Sequence, residues 1–338
     1  MLLFITKRLL KALPALLGVT LVSFLALRLV PGDPVQQLLG ERGADDQTAQ
    51  ALRQSLGLDK ALSTQYFLFL KSLSQGDLGN SIVTAEPVAK EFFSYFPATA
   101  ELSFCALLWA ILLGIPLGLF AAIKQNQLFD KLIIAFSLFG FSMSIFWWAL
   151  MLILIFSVNL GWTPVSGRLN AIYEINSITG FYLIDAWFSA DSLKVFLNSL
   201  KHLILPSLTL GTIPLAFIVR MTRSSVLETL KKDFIRTAQA KGLSFYTVLF
   251  RHAFLNALIP IITIIGFLSA SLLTGAILTE TIFAWPGIGQ WFVGALFARD
   301  YPVITGGALL MAFIIIGINI CVDVAYVQAD PQIRSHWL

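Results

Sequence analysis

Side chains that commonly carry out chemistry are few in this sequence and lie far apart. The histidines His202, His252 and His336 fall in different segments, and Cys105 and Cys321 each lie inside an apolar run. None of them has a partner at a disulfide or metal-ligand spacing. The chain also lacks the Gly-x-x-x-x-Gly-Lys-Ser/Thr, His-Glu-x-x-His and Gly-x-Ser-x-Gly motifs. The sequence therefore predicts no enzyme, no metal site, and no cofactor or ATP bound by this chain itself.

Three acidic residues, Glu101, Glu280 and Asp323, lie in or beside apolar runs. Paired acids or histidines within a run would favour a membrane protease or transferase, and these three are not paired in sequence. All three fall near the predicted helix ends, so their side chains are expected to reach water.

The most distinctive segment is the polar stretch from Lys232 to Ser244. Asp233 favours a helix start, Lys241 favours a helix end, and Gly242 fits the position just past that end. This pattern predicts a short helix of about two to three turns.

The predicted helix has two different faces. Phe234 and Ala238 are four residues apart on one face with Ile235 adjacent, whereas Arg236 and Lys241 project elsewhere. Such a helix suits docking into a groove on a soluble partner. It equally suits an amphipathic helix lying on anionic lipid, and the pattern alone leaves both readings open.

The composition identifies the elements that must position this helix. Among the 338 residues, 57% are hydrophobic and only 12% are charged, and the mean hydropathy is +0.81. A soluble domain has about 25% charged residues, so the chain is predicted to be a polytopic membrane protein. The net charge of +4 gives no reason to expect nucleic acid as a partner.

A spanning helix needs about 20 mostly apolar residues, and six stretches qualify. They are Leu9–Val30, Leu102–Ile123, Leu132–Val158, Leu203–Val219, Leu258–Phe283 and Val303–Val327. The fourth is the weakest because it contains Pro206 and Pro214. The first is interpreted as a retained helix because it is too long for a signal peptide. The predicted fold is therefore all-α with six transmembrane helices.

The distribution of basic residues predicts the orientation. Lys7, Arg8 and Lys11 precede the first run, and Lys124 and Lys131 lie between the second and third. The segment after the fourth run is rich in basic residues: Arg220, Arg223, Lys231, Lys232, Arg236, Lys241 and Arg251. The positive-inside rule places these segments, and hence both termini, in the cytoplasm.

The same pattern divides the chain into segments. We expect an N-terminal helix in residues 1–30, an external loop region in 31–97, a core of five spans in 98–327 and a cytoplasmic tail in 328–338. The core includes an external loop, 159–201, and a cytoplasmic loop, 222–257. Loops of this length are often functional.

The cytoplasmic loop resembles the EAA loop of ABC importer permeases. Arg236-Thr237-Ala238 stands for Glu-Ala-Ala, and Gly242 is in register. His252 replaces the usual Ile and Leu255 the usual Pro. Both departures are typical of the peptide-transporter branch, as are Arg251-His252 and Asn256-Ala257-Leu258-Ile259-Pro260.

Shorter motifs extend the resemblance over the whole chain, in the order expected for B-type permeases of dipeptide importers. Ala61, where Pro is common, is a small departure. The matching motifs are Pro31-Gly32-Asp33-Pro34, Gly57-Leu58-Asp59-Lys60, Gly76-Asp77-Leu78-Gly79, Thr163-Pro164-Val165-Ser166-Gly167-Arg168, Glu280-Thr281-Ile282-Phe283-Ala284-Trp285-Pro286-Gly287 and Asp330-Pro331-Gln332-Ile333-Arg334.

The resemblance implies a type I ABC importer permease in the bacterial inner membrane. Such a permease forms half of the pore through which the importer moves dipeptides. The resemblance implies four kinds of partner: a second homologous permease, two ABC ATPase subunits that bind ATP and Mg, a periplasmic or extracellular peptide-binding protein, and membrane lipid. It also implies that the short helix seats on the ATPase. The implied contacts are Phe234, Ile235, Arg236, Ala238 and Gly242.

The predicted translocation path runs along the fifth span, which has a polar and small-residue side. Its candidate residues are Ser271, Thr274, Thr279 and Glu280. Helix packing is the competing interpretation of the small residues. Glu280 could contact a peptide amine or pair with a basic residue such as Arg168, because an acid near membrane depth is costly.

Other functions remain open from the sequence. The cargo could be an oligopeptide, glutathione, nickel or haem rather than a dipeptide. A secondary transporter is a further alternative, although it would be expected to have ionisable groups at the membrane midplane.

Overall fold

The computed structural model of the chain describes residues 2–29, 50, 60–175, 177–189 and 191–329. Within these ranges the chain is helical and contains no β-strand longer than an isolated bridge between Asn80 and Pro87. The predicted all-α class is confirmed for this part. Most of the predicted loop 31–97 up to residue 59, and the tail from residue 330, lie outside the described residues.

Twelve helical elements are labelled in chain order over these ranges. They are α1 (Leu2–Leu29), α2 (Leu62–Ser74), α3 (Val88–Ile123), α4 (Leu128–Ser142), α5 (Ile145–Asn159), α6 (Tyr182–Asp185), α7 (Ser192–Leu230), α8 (Asp233–Ala240), α9 (Phe245–Gly275), α10 (Ile277–Ile282), α11 (Ile288–Phe297) and α12 (Tyr301–Ala329). A single 3-10 turn, Ala186–Phe188, continues α6.

Among the described residues, four helices are long and apolar enough to cross a membrane: α3, α7, α9 and α12. The pair α4 and α5 supplies a fifth span if it is counted as one. In α1, the apolar part Leu10–Leu25 is shorter. Helices therefore occupy all six predicted stretches, and four or five of them meet the length and composition of a span.

The third predicted stretch, Leu132–Val158, is two helices rather than one continuous helix. Met143 (φ −77°, ψ 139°) and Ser144 (φ −61°, ψ 128°) are extended, which ends α4 before α5 begins. The two helices are bent by 105° at this break. Hydropathy did not reveal the break because the residues on both sides are apolar.

Helix α7, predicted as the weakest span, is the longest helix described and the best buried of the four spanning helices. It has 39 residues. In its most apolar 18-residue stretch 67% of the residues are buried, against 33% in the corresponding stretch of each of the other three helices. Pro206 and Pro214 lie inside it without ending it. Neighbouring helices make such prolines tolerable in a membrane.

Small residues let α3 and α7 approach closely. A Cβ on Gly118 of α3 would lie 2.6 Å from the Val219 carbonyl oxygen of α7. A Cβ on Gly211 of α7 would lie 2.6 Å from the Ala106 carbonyl oxygen of α3. The two backbones therefore touch at both positions, as in other small-residue helix contacts in membranes.

The chain divides into two compact units, residues 1–94 with 292–316 and residues 95–291 with 317–338. In the first, α1 and α2 pack through an aromatic cluster of Phe24, Tyr66 and Phe69, with ring centroids 5.1 to 6.5 Å apart. Thr20 and Tyr66 share a hydrogen bond of 2.9 Å. The second unit contains α8 and the candidate site residues.

Candidate functional site

Helix α8 has the bounds that its sequence signals predicted. Asp233 is its first residue, where a negative charge is favourable to the helix dipole. Gly242 has φ +80°, and its N–H donates to the Gln239 carbonyl at 2.9 Å. Glycine adopts this left-handed conformation without strain, so Gly242 ends the helix as expected.

One face of α8 packs against its own chain. Ile235 and Ala238 are buried, at 1% and 6% exposure, in a cluster with Val248, Ala253 and the partly buried Leu230. These two side chains therefore contact their own chain, and their implied contact with the ATPase stays a prediction. They fix the helix on its support.

The other face of α8 is open. The Phe234 side chain is 42% exposed, although its spacing grouped it with the buried Ala238. The Arg236 side chain is 77% exposed, with only a surface pairing to Asp233 at 3.6 Å. Gly242 is exposed as well. Of the five residues implied as ATPase contacts, Phe234, Arg236 and Gly242 are exposed on this chain.

A buried ion pair holds the helix from which α8 follows. Arg223 on α7 binds Asp130 at the start of α4, with Nε to Oδ1 at 2.6 Å and Nη2 to Oδ2 at 2.8 Å. The Asn126 N–H also donates to Asp130 at 2.8 Å. The Asp130 side chain is 2% exposed. In the sequence, Arg223 was interpreted only as one of the basic residues that follow the fourth span. Its partner Asp130 was missed because 93 residues separate the two.

A second buried ion pair ties the loop after α5 to α3. The Arg168 Nη2 donates to the Glu101 carboxylate at 2.6 Å and to the Gly180 carbonyl at 3.1 Å. Its guanidinium lies 3.7 Å from the centroid of the Tyr182 ring. Glu101 also accepts from the Leu183 N–H at 2.8 Å.

This pair corrects two expectations. Arg168 pairs with Glu101 rather than with Glu280, and Glu101 is buried rather than reaching water from a helix end. A sequence signal existed, because an acid inside an apolar helix needs a partner. Arg168 is the single basic residue between positions 159 and 193.

Asp185 organises the same loop. It is fully buried, and it accepts hydrogen bonds from the backbone N–H groups of Ile178, Thr179 and Gly180 and from the Thr179 hydroxyl at 2.6 Å. Burial is the largest single influence and raises the pKa of Asp185. The hydrogen bonds to Thr179, Gly180 and Ile178 together outweigh it and hold that pKa below its usual value.

Glu280 is enclosed rather than open to a path. It is fully buried; its Oε1 accepts from the Thr99 hydroxyl at 2.5 Å and its Oε2 from the Gln290 N–H at 3.0 Å. The Thr99 hydroxyl oxygen in turn accepts from the Ile288 N–H at 2.8 Å. Glu280 and Thr99 thus satisfy amides at the start of α11. The expectation that Glu280 reaches water from a helix end was wrong.

Glycines make this enclosure fit. A Cβ on Gly287 would lie 2.5 Å from both the Glu280 carboxyl carbon and the Thr99 hydroxyl, and one on Gly289 would lie 2.8 Å from Glu280 Oε2. The Trp285 indole N–H donates to the Ala98 carbonyl at 2.9 Å and lies under the same turn. The turn therefore depends on glycine for close approach to the carboxylate.

The four predicted path residues separate into two pairs. Ser271 and Thr274 are exposed on α9, and the Thr274 hydroxyl donates to the Ser271 carbonyl at 3.0 Å. Thr279 and Glu280 are fully buried in the chain. The structure does not bring the four together on one surface.

Family comparisons cover nearly the whole chain. Residues 114–335 match the family described as binding-protein-dependent transport system inner membrane component. Residues 1–103 match its N-terminal companion, the membrane component N-terminal family.

Curated relatives are similar over their full length. A di/tripeptide transport system permease protein DppB of Pseudomonas aeruginosa is 52% identical, and a dipeptide transport system permease protein DppB of Escherichia coli K12 is 47% identical. A glutathione transport system permease protein GsiC of Salmonella paratyphi A is 38% identical. In each case the match covers 99% of this chain and 99% of the relative.

A solved structure supports the fold alone. The MetNI methionine ABC transporter, in an inward-facing conformation, matches with a TM-score of 0.51 at 14% identity, over 69% of this chain and 93% of that chain. The family matches, the curated relatives and the spanning helices classify the protein. The chain belongs to the binding-protein-dependent transport system inner membrane component family and is a multi-pass permease subunit of the bacterial inner membrane.

Proposed function

We propose that this chain is the transmembrane permease subunit of an ATP-driven importer for dipeptides. It forms half of the translocation pore and couples through α8 to separate ATPase subunits. The observation that carries the proposal is the identity of 47–52%, over nearly the full length, to proteins named as dipeptide or di/tripeptide permeases. A shared fold alone would not support a cargo.

The geometry of α8 supports the coupling part of the proposal. Its inner face is fixed through Ile235 and Ala238 to residues of α9 and to Leu230 at the end of α7. Its outer face presents Phe234 and Arg236. A partner that moves α8 therefore moves the ends of two spanning helices with it, because the contacts between them are buried and close-packed.

The complete transporter includes further subunits, and the chain crosses the membrane six times. The partners are a second homologous permease, two ABC ATPase subunits that bind ATP and Mg, a periplasmic or extracellular peptide-binding protein, and lipid. We count α1, α3, the bent pair, α7, α9 and α12 as six spans. The basic residues of the predicted cytoplasmic loops support cytoplasmic termini.

Ser271 and Thr274 are the candidates we retain for the translocation path. Both are exposed on α9, a spanning helix. Thr279 and Glu280 would contact cargo only after a rearrangement that opens the turn at Gly287. Ser271→Leu or Thr274→Leu is expected to change the rate of transport and to leave the binding of the ATPase subunits unchanged.

Glutathione is the second candidate cargo, because the glutathione permease relative is 38% identical over 99% of both chains. The higher identity of the dipeptide relatives favours dipeptides. Oligopeptide, nickel and haem remain alternatives for the same transporter class. Competition for uptake, with dipeptide and glutathione tested against the same labelled dipeptide, separates the first two.

The test of the proposed function is purification of the full chain from its host membrane in mild detergent, with identification of the co-purifying proteins. A second permease and one or two ATPases with phosphate-binding loops are expected. Arg236→Glu should then release the ATPases and leave the permease pair intact. The matched control is Lys90→Glu at the start of α3, where the side chain is also exposed.

Purification of the chain without ATPase subunits would contradict the proposed function if the chain also transported substrate. If the chain purifies alone and moves substrate into liposomes without ATP, the coupling argument fails. A secondary transporter would then take the place of the importer.

A further inference from the structure

The segment from Tyr182 to Phe188 has a burial pattern that is reversed relative to a water-facing loop. Asp185 and Ala186 are fully buried, whereas Ile184, Trp187 and Phe188 are 50%, 59% and 64% exposed. Exposed apolar side chains occur singly on soluble surfaces, but a cluster of them marks an interaction site. An apolar or interfacial environment explains why the carboxylate points inward and the aromatic rings point outward.

The outward direction of these side chains is fixed from beneath. The hydrogen bonds that Asp185 accepts from Ile178, Thr179 and Gly180 hold this stretch of backbone. On the adjoining turn, Arg168 stacks on Tyr182 and binds Glu101. A polar core under an apolar exterior makes this segment a rigid platform.

The exposed apolar surface continues into the first turns of α7. Four large side chains recur on one face at intervals of four, three and four residues: Leu193, Leu197, Leu200 and Ile204. All four are exposed, and the Trp187 ring lies 5.3 Å from the Phe196 ring on the same helix. We call Ile184, Trp187, Phe188 and this stripe the α6–α7 apolar surface.

The length of α7 brings this surface to a membrane boundary. A helix of 39 residues is about 58 Å long, whereas a bilayer with its headgroups is about 40–45 Å thick. Lys194 and Lys201 lie beside the apolar stripe, and both are exposed. Lys194 also contacts Asp191 at 3.2 Å. Lysine stems cover apolar surface while the ammonium groups reach phosphates.

We propose that the α6–α7 apolar surface lies in the interfacial layer of the bilayer, in the leaflet remote from α8. Its Trp and Phe side chains would sit at headgroup level, its leucine stripe would face acyl chains, and its lysines would face lipid phosphates. Aromatic residues are enriched at this depth in membrane proteins. The surface would set the depth of the segment that Arg168 and Asp185 hold together.

The composition of the surface favours lipid over a second permease chain as its occupant. Contacts between helices in membranes are enriched in small residues, as seen where Gly118 and Gly211 join α3 and α7. The α6–α7 apolar surface contains only large side chains. Large aliphatic side chains without glycine or alanine suit fluid acyl chains better than a close helix contact.

The test is spin labelling of the assembled transporter in nanodiscs that contain phosphatidylglycerol. Cys105 and Cys321 are first replaced by Ser, and single labels are placed at Trp187, Phe188 and Leu197. Collisions with oxygen, which concentrates in lipid, are compared with collisions with a water-soluble nickel chelate. The label at Leu197 should collide more with oxygen than with nickel, and those at Trp187 and Phe188 should give intermediate ratios.

A label at Ile172 is the matched control, because this side chain is 82% exposed in the preceding loop but has polar neighbours such as Asn170 and Glu174. It should collide mainly with nickel. The proposal is overturned if the surface labels behave like the one at Ile172. It is also overturned if they are immobilised and inaccessible to both reagents, which would indicate a protein partner. Labels are placed at both Trp187 and Phe188 so that the test can still be made if one of the two variants does not fold.

Discussion

Arg223 and Asp130 form a two-point ion pair, with hydrogen bonds of 2.6 and 2.8 Å, between α7 and the start of α4. The Asp130 side chain is 2% exposed and the Arg223 side chain 22%. Two parallel hydrogen bonds fix direction as well as distance. The pair therefore fixes the end of α7 that leads into α8 against the start of α4.

Removal of one partner should leave the other charge buried and unpaired. Asp130→Ala is expected to lower the free energy of unfolding by about 3 kcal/mol, measured by thermal or denaturant unfolding in detergent. Arg236→Ala is the control, because the Asp233–Arg236 pair is exposed and such pairs contribute little. Equal losses in both variants would show that the buried pair has no special weight.

The two faces of α8 should respond differently to truncation. Ile235→Ala removes a buried side chain and should cost about 2–5 kcal/mol of stability. Phe234→Ala should leave the unfolding midpoint close to wild type but weaken ATPase binding, because that ring is 42% exposed. Midpoints by thermal unfolding and ATPase recovery by co-purification check the pair.

The comparison of Phe234→Ala with Ile235→Ala tests whether the two faces of α8 have different roles. If Phe234→Ala destabilises the chain as much as Ile235→Ala, the outward face is part of the core. If Phe234→Ala changes neither stability nor ATPase recovery, the ring is not a coupling contact.

The turn around Glu280 should not accept a side chain at Gly287. A Cβ there would lie 2.5 Å from Thr99 Oγ1 and from the Glu280 carboxyl carbon. Gly287→Ala is therefore expected to cost about 1–3 kcal/mol through overpacking. Gly275→Ala is the control, since nothing lies within 4 Å of its Cβ position. A midpoint unchanged in Gly287→Ala would mean that the turn relaxes freely.

The Asp185 hydrogen bonds predict a pH dependence of stability. Because the pKa of Asp185 is lowered in the folded chain, its contribution is fully present above the unfolded value of about 3.9. The contribution falls as the pH drops below that value and is lost once the pH passes through the lower folded pKa. Wild type should therefore exceed Asp185→Asn in unfolding midpoint at neutral pH, and the difference should shrink in acid.

Thermal midpoints of the two proteins between neutral pH and pH 3 measure this difference. Asp191→Asn serves as the control, because Asp191 is exposed beside Lys194. A constant difference between wild type and Asp185→Asn over the whole range would contradict the ionic role of Asp185.

Features encoded locally were predicted well from the sequence. The bounds of α8 follow from Asp233 and Gly242. The membrane class follows from composition, since too little charge is present to cover a water-facing surface.

Features that depend on contacts between distant residues were not predicted. Arg168 was considered only as one possible partner of Glu280, its pairing with Glu101 was not predicted, and the Asp130–Arg223 pair was missed. The break at Met143 left no hydropathy signal because it consists of two extended residues between apolar helices. Burial of Ile235 and Ala238 depends on Val248 and Ala253, which lie in a later helix.

The two-faced packing of α8 has a consequence for protein engineering. The residues that hold the helix in place, Ile235 and Ala238, are separate from the outward Phe234 and Arg236. A chimera that exchanges only the outward positions between two permeases should keep its native scaffold and acquire the ATPase preference of the donor. Transplanting the entire helix would instead place a foreign inner face against Val248 and Ala253, and the graft would require compensating changes in α9.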